Sequence, residues 1–450
     1  FETPDWAKGA TIYQIFPDRF CSSGKVNTAG KLQPYVMHNY WYEEVFWKPT
    51  PEGIVLNNDF YGGNFKGITE KMDYIASLGV TILYLNPISK SFSSHRYDTG
   101  DYKTPDPMLG TEADFKALCD AAHARGIRVI LDGVYSHTGS DSLYFNKNGT
   151  FPGKGAYQSE SSPYRSWYQF HQWPDSYNSW WGFDTLPTVN KMDPDFIEYI
   201  ITGKDSVVEH WLNAGADGFR FDATKHIETP YDDDGTASDF WPTVIGGAEA
   251  YAKSKGFDLY CYGELLDEPG KKVSIVEYTE FLAVTDNSWG NCLRGEIAGG
   301  SASYNLKGYN KVAAPNQLVL WAESHDTYGN EDKVSTNISV ANINKTWALV
   351  AARADVMGLY LARPANFSAS GTQLGEASLN TGWANPEVKA VNEFHNAFVG
   401  ATEKAGNADG IAYVVRGTTG VVLVNYKGTT KSVSGLDVGM ADGTYTDQVT

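Results

Sequence analysis

The chain is 450 residues long and 42% hydrophobic, too long for one ordinary domain and apolar enough for a sizeable core. Its formal net charge of −18 repels phosphate backbones and anionic membrane surfaces, so nucleic acid is not an expected partner. No apolar run approaches the roughly 18 residues of a membrane span, so no membrane insertion is expected either.

The first 390 or so residues alternate short β-branched runs with amphipathic helical stretches. Residues 11–16 read as a strand, 68–78 as a helix and 80–85 as a second strand. Residues 111–125 read as a helix with Thr111 as N-cap and Gly126 as its stop, followed by a third strand at 127–131. Further strands are expected at 218–221, 259–262, 281–284, 318–322 and 356–360. Eight strands with intervening helices make a (β/α)8 TIM barrel of the α/β class. An open doubly wound sheet competes, but no GxGxxG turn follows the first strand.

One connection breaks the rhythm. Roughly 60 residues separate the third strand from a helix beginning near Asp193, against the usual 2–6 of a βα loop. Residues 134–194 are therefore expected to form an inserted subdomain on a barrel made of residues 1–133 and 195–396. Its stretch 164–183 carries nine aromatics, including Trp167, Trp173, Trp180 and Trp181. A cleft wall or a miniature core explains them equally well. From residue 397 the texture changes: residues 411–415 and 421–426 flank a Gly417-Thr-Thr-Gly420 turn and read as a hairpin. Residues 397–450 are expected to be a C-terminal all-β domain that ends while still strand-like. Cys21, Cys119, Cys261 and Cys292 show no CxxC spacing and are expected as buried free thiols rather than metal ligands. No basic stretch and apolar run opens the chain, so a signal peptide is absent or already removed.

Carboxylates at strand ends carry the chemistry. In Gly218-Phe-Arg-Phe-Asp222 the polar residues alternate with apolar ones, so Arg220 and Asp222 point to the same side. Such a pair at the C-terminal end of a barrel strand sits where barrels place catalysis, although a structural ion pair has the same pattern. Glu264 ends the next strand, 42 residues on, and His325 and Asp326 end a later one. Glycoside cleavage with retention needs one carboxylic acid for the leaving oxygen and one carboxylate to attack the anomeric carbon. Arg220 beside Asp222 would keep that carboxylate ionised as a nucleophile, leaving Glu264 as general acid/base.

Four segments, Leu131-Asp-Gly-Val-Tyr-Ser-His137, Gly218-Phe-Arg-Phe-Asp222, Gly263-Glu264 and Ser324-His-Asp326, resemble the conserved regions of the α-amylase superfamily, in order. That resemblance covers nearly the whole chain. It implies Asp222 as nucleophile, Glu264 as acid/base and Asp326 as the carboxylate that gathers and distorts the substrate. It places His137, Arg220 and His325 around the sugar at the cleavage point, Tyr97 stacked beneath it, and Lys225 and His226 on the leaving-group side. Trp180 and Trp181 are candidate sugar contacts on their aromatic character. The first half is similar to neopullulanases and cyclomaltodextrinases, and the second half looks like secreted bacterial and animal α-amylases. Neopullulanases carry a large N-terminal β-domain; with the first strand expected at about residue 10, α-amylase is the expected reading unless the sequence is trimmed at its start.

The resemblance thus implies an endo-acting α-1,4-glucan hydrolase on starch and maltooligosaccharides. The alternatives are a neopullulanase or cyclomaltodextrinase type of hydrolase or transglycosylase, or a non-catalytic glucan-binding relative. An α-glucan is the expected partner, the chain is expected as a monomer, and a polymer substrate implies an extracellular or cell-surface location. No cofactor is expected to be required. The family's usual Ca2+ ligand positions hold Ser136 and Thr188. A second calcium loop offers only Ser22, Gly24, Asn27, Thr28 and Asn64, with no carboxylate.

Overall fold

The computed structural model describes residues 1–41, 43, 45–46, 50–232, 235–266, 275–302, 313–329, 334–363 and 386–449. Eight parallel strands close into a barrel: β1 (Thr11–Ile15), β2 (Ile82–Leu85), β3 (Arg128–Gly133), β4 (Gly218–Phe221), β5 (Tyr260–Gly263), β6 (Ala283–Thr285), β7 (Leu318–Trp321) and β8 (Met357–Leu361). They neighbour one another in chain order, with β8 closing on β1. This is the (β/α)8 architecture the sequence pattern calls for, with each strand within two residues of its expected position.

Alternation along the strands builds two cores. Ile12, Ile82, Tyr84, Ile130, Tyr260, Tyr262, Val319, Met357 and Leu359 fill the barrel interior. Ile15, Leu83, Leu85, Val129, Leu131, Phe219, Phe221 and Leu320 face the surrounding helices. Helix α1 (Glu112–His123) shows how local sequence sets an element. Thr111 accepts from Asp114 N while Asp114 accepts from Thr111 N, closing a capping box, and Phe115, Leu118, Cys119 and Ala122 pack inward. The helix expected over 68–78 is instead two short ones, Phe65–Glu70 and Met72–Ser77, broken at Lys71. The helix over Phe65–Glu70 starts earlier than expected because Asn64 caps it by accepting from Gly67 N.

The insertion after β3 packs its aromatics together and against Phe196 on the helix that follows it. Trp167 is 1% exposed, with Tyr144 stacked on it at 4.9 Å and Phe196 edge-on at 5.1 Å. Trp173 donates to Ala156 O. These rings are a miniature core. Trp180 and Trp181 are different: Trp180 is half-buried, and Trp181 is 67% exposed. The miniature-core reading thus holds for the buried rings, and Trp180 and Trp181 lie outside that core.

The C-terminal sheet has three antiparallel strands, β9 (Glu403–Ala408), β10 (Ile411–Arg416) and β11 (Gly420–Asn425). The hairpin lies where expected, but β9 was not anticipated and the strand-like ending is corrected. Residues 426–449 form no strand, their Gly, Ser, Thr and Asp content favouring turns. Buried Arg416 ties this sheet to the barrel by donating to Ala352 O, Arg353 O and Phe398 O. All four cysteines are free; Cys119 and Cys261 are buried as expected, while Cys21 is half-buried and Cys292 exposed. Among the described residues no helix is long and apolar enough to cross a membrane.

Candidate active site

Strand register assembles the site in layers. Arg220 on β4 lies opposite Asp132 on β3 and Tyr262 on β5, and Gln14 on β1 lies opposite Tyr84 on β2. Each is one inward position above the apolar floor. Asp222 and Glu264 occupy the next layer, at the mouth. The β4 and β5 ends are locked together: Glu264 N donates to Phe221 O, and Thr224 N to Glu264 O. A Cβ on Gly263 would overlap the Thr224 hydroxyl, so glycine is required beneath Glu264. Ala223 takes a left-handed conformation (φ 51°) that turns its N–H onto Glu264 Oε2 at 3.1 Å. Such strain in a non-glycine residue persists only where its surroundings enforce it.

One guanidinium organises the carboxylates. Arg220 Nη1 donates to Asp132 Oδ1 (2.9 Å) and Asp222 Oδ1 (2.8 Å), while Nη2 lies 3.1 Å from Glu264 Oε1. Arg220 is therefore shared by three carboxylates, not dedicated to Asp222 as the sequence pattern suggests. The electrostatic consequence is also the reverse of that expectation. Burial pushes the Asp222 carboxyl well above its ordinary value, and Glu264 and Asp132 reinforce the shift against Arg220. Asp326 stands apart, on a short helix (His325–Gly329), with its side chain 42% exposed and Oδ1 3.5 Å from His325 Nε2.

The aromatic and histidine residues converge on the same mouth. Tyr97 stacks on His325 with ring centres 5.5 Å apart, and its hydroxyl reaches Asp132 Oδ2 at 2.7 Å. His137 Nε2 bonds Tyr97 O at 3.1 Å. Burial depresses both His137 and His325 to about 4, so both rings are neutral at pH 7. Lys225 and His226 lie on the turn Thr224–His226 directly after Asp222, Lys225 buried and His226 half-buried. Trp180 packs edge-on to His226 at 4.3 Å and 5.4 Å from His137, and Trp181 lies 5.9 Å from His226. Trp181 itself is held at φ 49°. An exposed tryptophan in that conformation next to a cleft is a candidate platform for a sugar ring.

Four further residues belong to the site: Asp132, Tyr84, Gln14 and Asn86. Asp132 lies within a recognised motif and alternates with Ile130, so its inward direction was readable. Tyr84 and Gln14 are a phenol and a neutral amide in otherwise apolar strands and Asn86 is a second amide just past β2, and only contacts across the barrel reveal their part. At the usual calcium positions, side chains are engaged within the protein. Ser136 Oγ is bonded to His137, and Asn64 Oδ1 accepts from Ser23 N and Gly67 N. Among the described residues no group of three His, Cys, Asp or Glu could hold a metal.

The family description alpha amylase, catalytic domain, matches residues 14–268. An amylopullulanase of Thermoanaerobacterium saccharolyticum is 40% identical over 271 residues, 54% of this chain and 20% of the relative. Neopullulanase 2 of Thermoactinomyces vulgaris is 33% identical over 235 residues, 51% of this chain and 36% of the relative. The chain thus spans about a third or less of the length of these curated relatives. In structure, the type III pullulan hydrolase of Thermococcus kodakarensis superposes with a TM-score of 0.72 at 26% identity, covering 95% of this chain and 77% of that one. With its motifs at the mouth of a closed barrel and more than half its length matched, the chain belongs to the α-amylase family of glycoside hydrolases.

Proposed function

We propose that the chain is a retaining hydrolase of the neopullulanase or cyclomaltodextrinase type, acting on maltooligosaccharides, cyclic or branched. The observation that carries the chemistry is the pair Asp222 and Glu264 tied to two nitrogens of one guanidinium. A pair gathered so closely suits the separation of about 5–5.5 Å of retaining enzymes rather than the 6.5–9.5 Å that leaves room for a water. Glu264 would protonate the leaving oxygen while Asp222, once its raised carboxyl has given up its proton, attacks the anomeric carbon from its contact with Arg220 Nη1. Water then hydrolyses the glycosyl ester with Glu264 as base. His137, His325 and Tyr97 would hold the sugar at the cleavage point, and Asp326 its outer side.

The names of the relatives, amylopullulanase, neopullulanase and pullulan hydrolase, support this type above the α-amylase proper that the second-half motifs favour. Products separate the two readings. On pullulan the chain is expected to release panose, and on a cyclodextrin to open the ring faster than it degrades soluble starch. Starch cleavage with both other substrates untouched would restore the α-amylase reading.

Trp181 would extend the cleft on the leaving-group side. Trp181→Ala is expected to raise KM for long maltooligosaccharides about 3–10-fold, the worth of one aromatic contact. Melting temperature should not move, because the side chain is 67% exposed. An unchanged KM would remove Trp181 from the site.

A further inference from the structure

Beneath the mouth, four side chains close a ring of hydrogen bonds. Gln14 Nε2 lies 2.9 Å from Asn86 Oδ1 and 2.9 Å from His325 Nδ1. Asn86 Nδ2 donates to the Tyr97 hydroxyl at 2.9 Å, and His325 Nε2 lies 3.0 Å from that same oxygen. Gln14, Asn86 and His325 are buried, so water offers them no substitute partners.

Counting donors sets the direction of every bond. The Asp132 carboxylate, paired with Arg220, can only accept, and both the Tyr84 and Tyr97 hydroxyls point at its Oδ2. Tyr97 must give its one hydrogen there. Its oxygen can then only accept, from Asn86 and from His325. Asn86 therefore presents Nδ2 to Tyr97 and Oδ1 to Gln14, which in turn presents Nε2. An amide NH2 only donates, so His325 Nδ1 must carry the lone pair and Nε2 the hydrogen. Flipping either amide would set like against like at two bonds.

The protonated nitrogen is also the one toward the mouth. Nε2 faces the Tyr97 hydroxyl and lies 3.5 Å from Asp326 Oδ1, whereas Nδ1 is turned to Gln14 on β1. We infer that Gln14 is a positioning residue that fixes the Nε2–H tautomer of His325, so that the mouth-side nitrogen donates to the Tyr97 hydroxyl and holds that ring and the imidazole in place for the sugar. The depressed pKa of His325 agrees, since a ring near 4 carries a single proton at neutral pH. This role rests on the proposed place of His325 at the sugar being cleaved, but the tautomer itself can be read without substrate.

The test uses nitrogen-15 NMR of histidine-labelled protein at pH 7, with His325→Gln identifying the resonance. Wild type is expected to show protonated Nε2 and bare Nδ1. Gln14→Glu offers an acceptor and should draw a proton to Nδ1. Gln14→Met offers neither donor nor acceptor and should give mixed tautomers. Inverting a tautomer at a proton-transferring histidine costs about 10⁴ in rate; for one that only contacts sugar, kcat on maltotriose should fall about 10²-fold in Gln14→Glu. KM should change less, whereas mere loosening of the barrel would lower the melting temperature and raise KM. Wild type protonated on Nδ1, or both variants keeping the wild-type pattern, overturns the assignment. A displaced proton with unchanged kcat overturns its link to the reaction. Failure of the hydrolase reading would appear separately, as wild-type protein that shows the expected tautomer yet leaves maltotriose uncleaved.

Discussion

Asp222→Asn should lower the release of reducing sugar by at least about 10⁴-fold while raising the melting temperature. Both effects follow from the same geometry. The side chain is half-buried at the mouth with two other carboxylates around a single guanidinium, so ionising all three leaves an excess of two negative charges. The amide keeps the shape and the contact with Arg220 but cannot attack the anomeric carbon. The sign of the stability change comes from the raised Asp222 pKa. A carboxyl whose folded value exceeds its unfolded value contributes stability that is present below the unfolded pKa and lost as pH rises through the folded one. The gain in Asp222→Asn should therefore be small near pH 4 and grow toward pH 8. Glu264→Gln should match the loss on maltooligosaccharides yet keep much more activity on an aryl α-glucoside with an acidic leaving group, which needs no proton. Equal losses on that substrate would overturn the assignment of Glu264 as acid, and undiminished sugar release by Asp222→Asn would overturn the nucleophile.

The barrel was legible because its strands differ in kind from its helices. Runs such as Thr11–Ile15 and Leu318–Trp321 are β-branched or bulky on both faces, as a strand buried on both sides must be. Period-two alternation also placed Arg220 and Asp222 on one side. β9 escaped notice because Glu403–Ala408 reads Glu-Lys-Ala-Gly-Asn-Ala, without one β-branched or aromatic residue; it pairs because β10 offers it an edge. The sharing of Arg220 could not be read along the chain either. Asp132, Asp222 and Glu264 are neighbours only through the registers of β3, β4 and β5. The ring from Gln14 to His325 joins residues 311 apart in sequence, and neutral amides leave no periodic trace.

Arg220→Met tests the cluster from the opposite side. The side chain is 4% exposed and its methionine replacement would fill similar space, so the loss is of charge rather than volume. Removing one partner of a buried ionic network typically costs about 3–5 kcal/mol, because the other partners stay desolvated without compensation. Here three carboxylates lose their common cation. Their repulsion can be relieved only by binding protons, so the deficit against wild type should be small at pH 4 and largest near pH 8, the same direction derived for Asp222. Activity should vanish at every pH, since Asp222 and Glu264 lose the group that gathers them. Thermal melts across that range check the slope, and a deficit independent of pH would mean that packing, not charge, holds the site. Adding Asp222→Asn to Arg220→Met should restore part of the lost stability, because it removes one of the stranded charges. A double variant less stable than Arg220→Met alone would overturn the view that Arg220 holds this mouth together by neutralising it. The same double variant would stay inactive: the cation stabilises the barrel only because the chemistry requires an anionic cluster at its mouth.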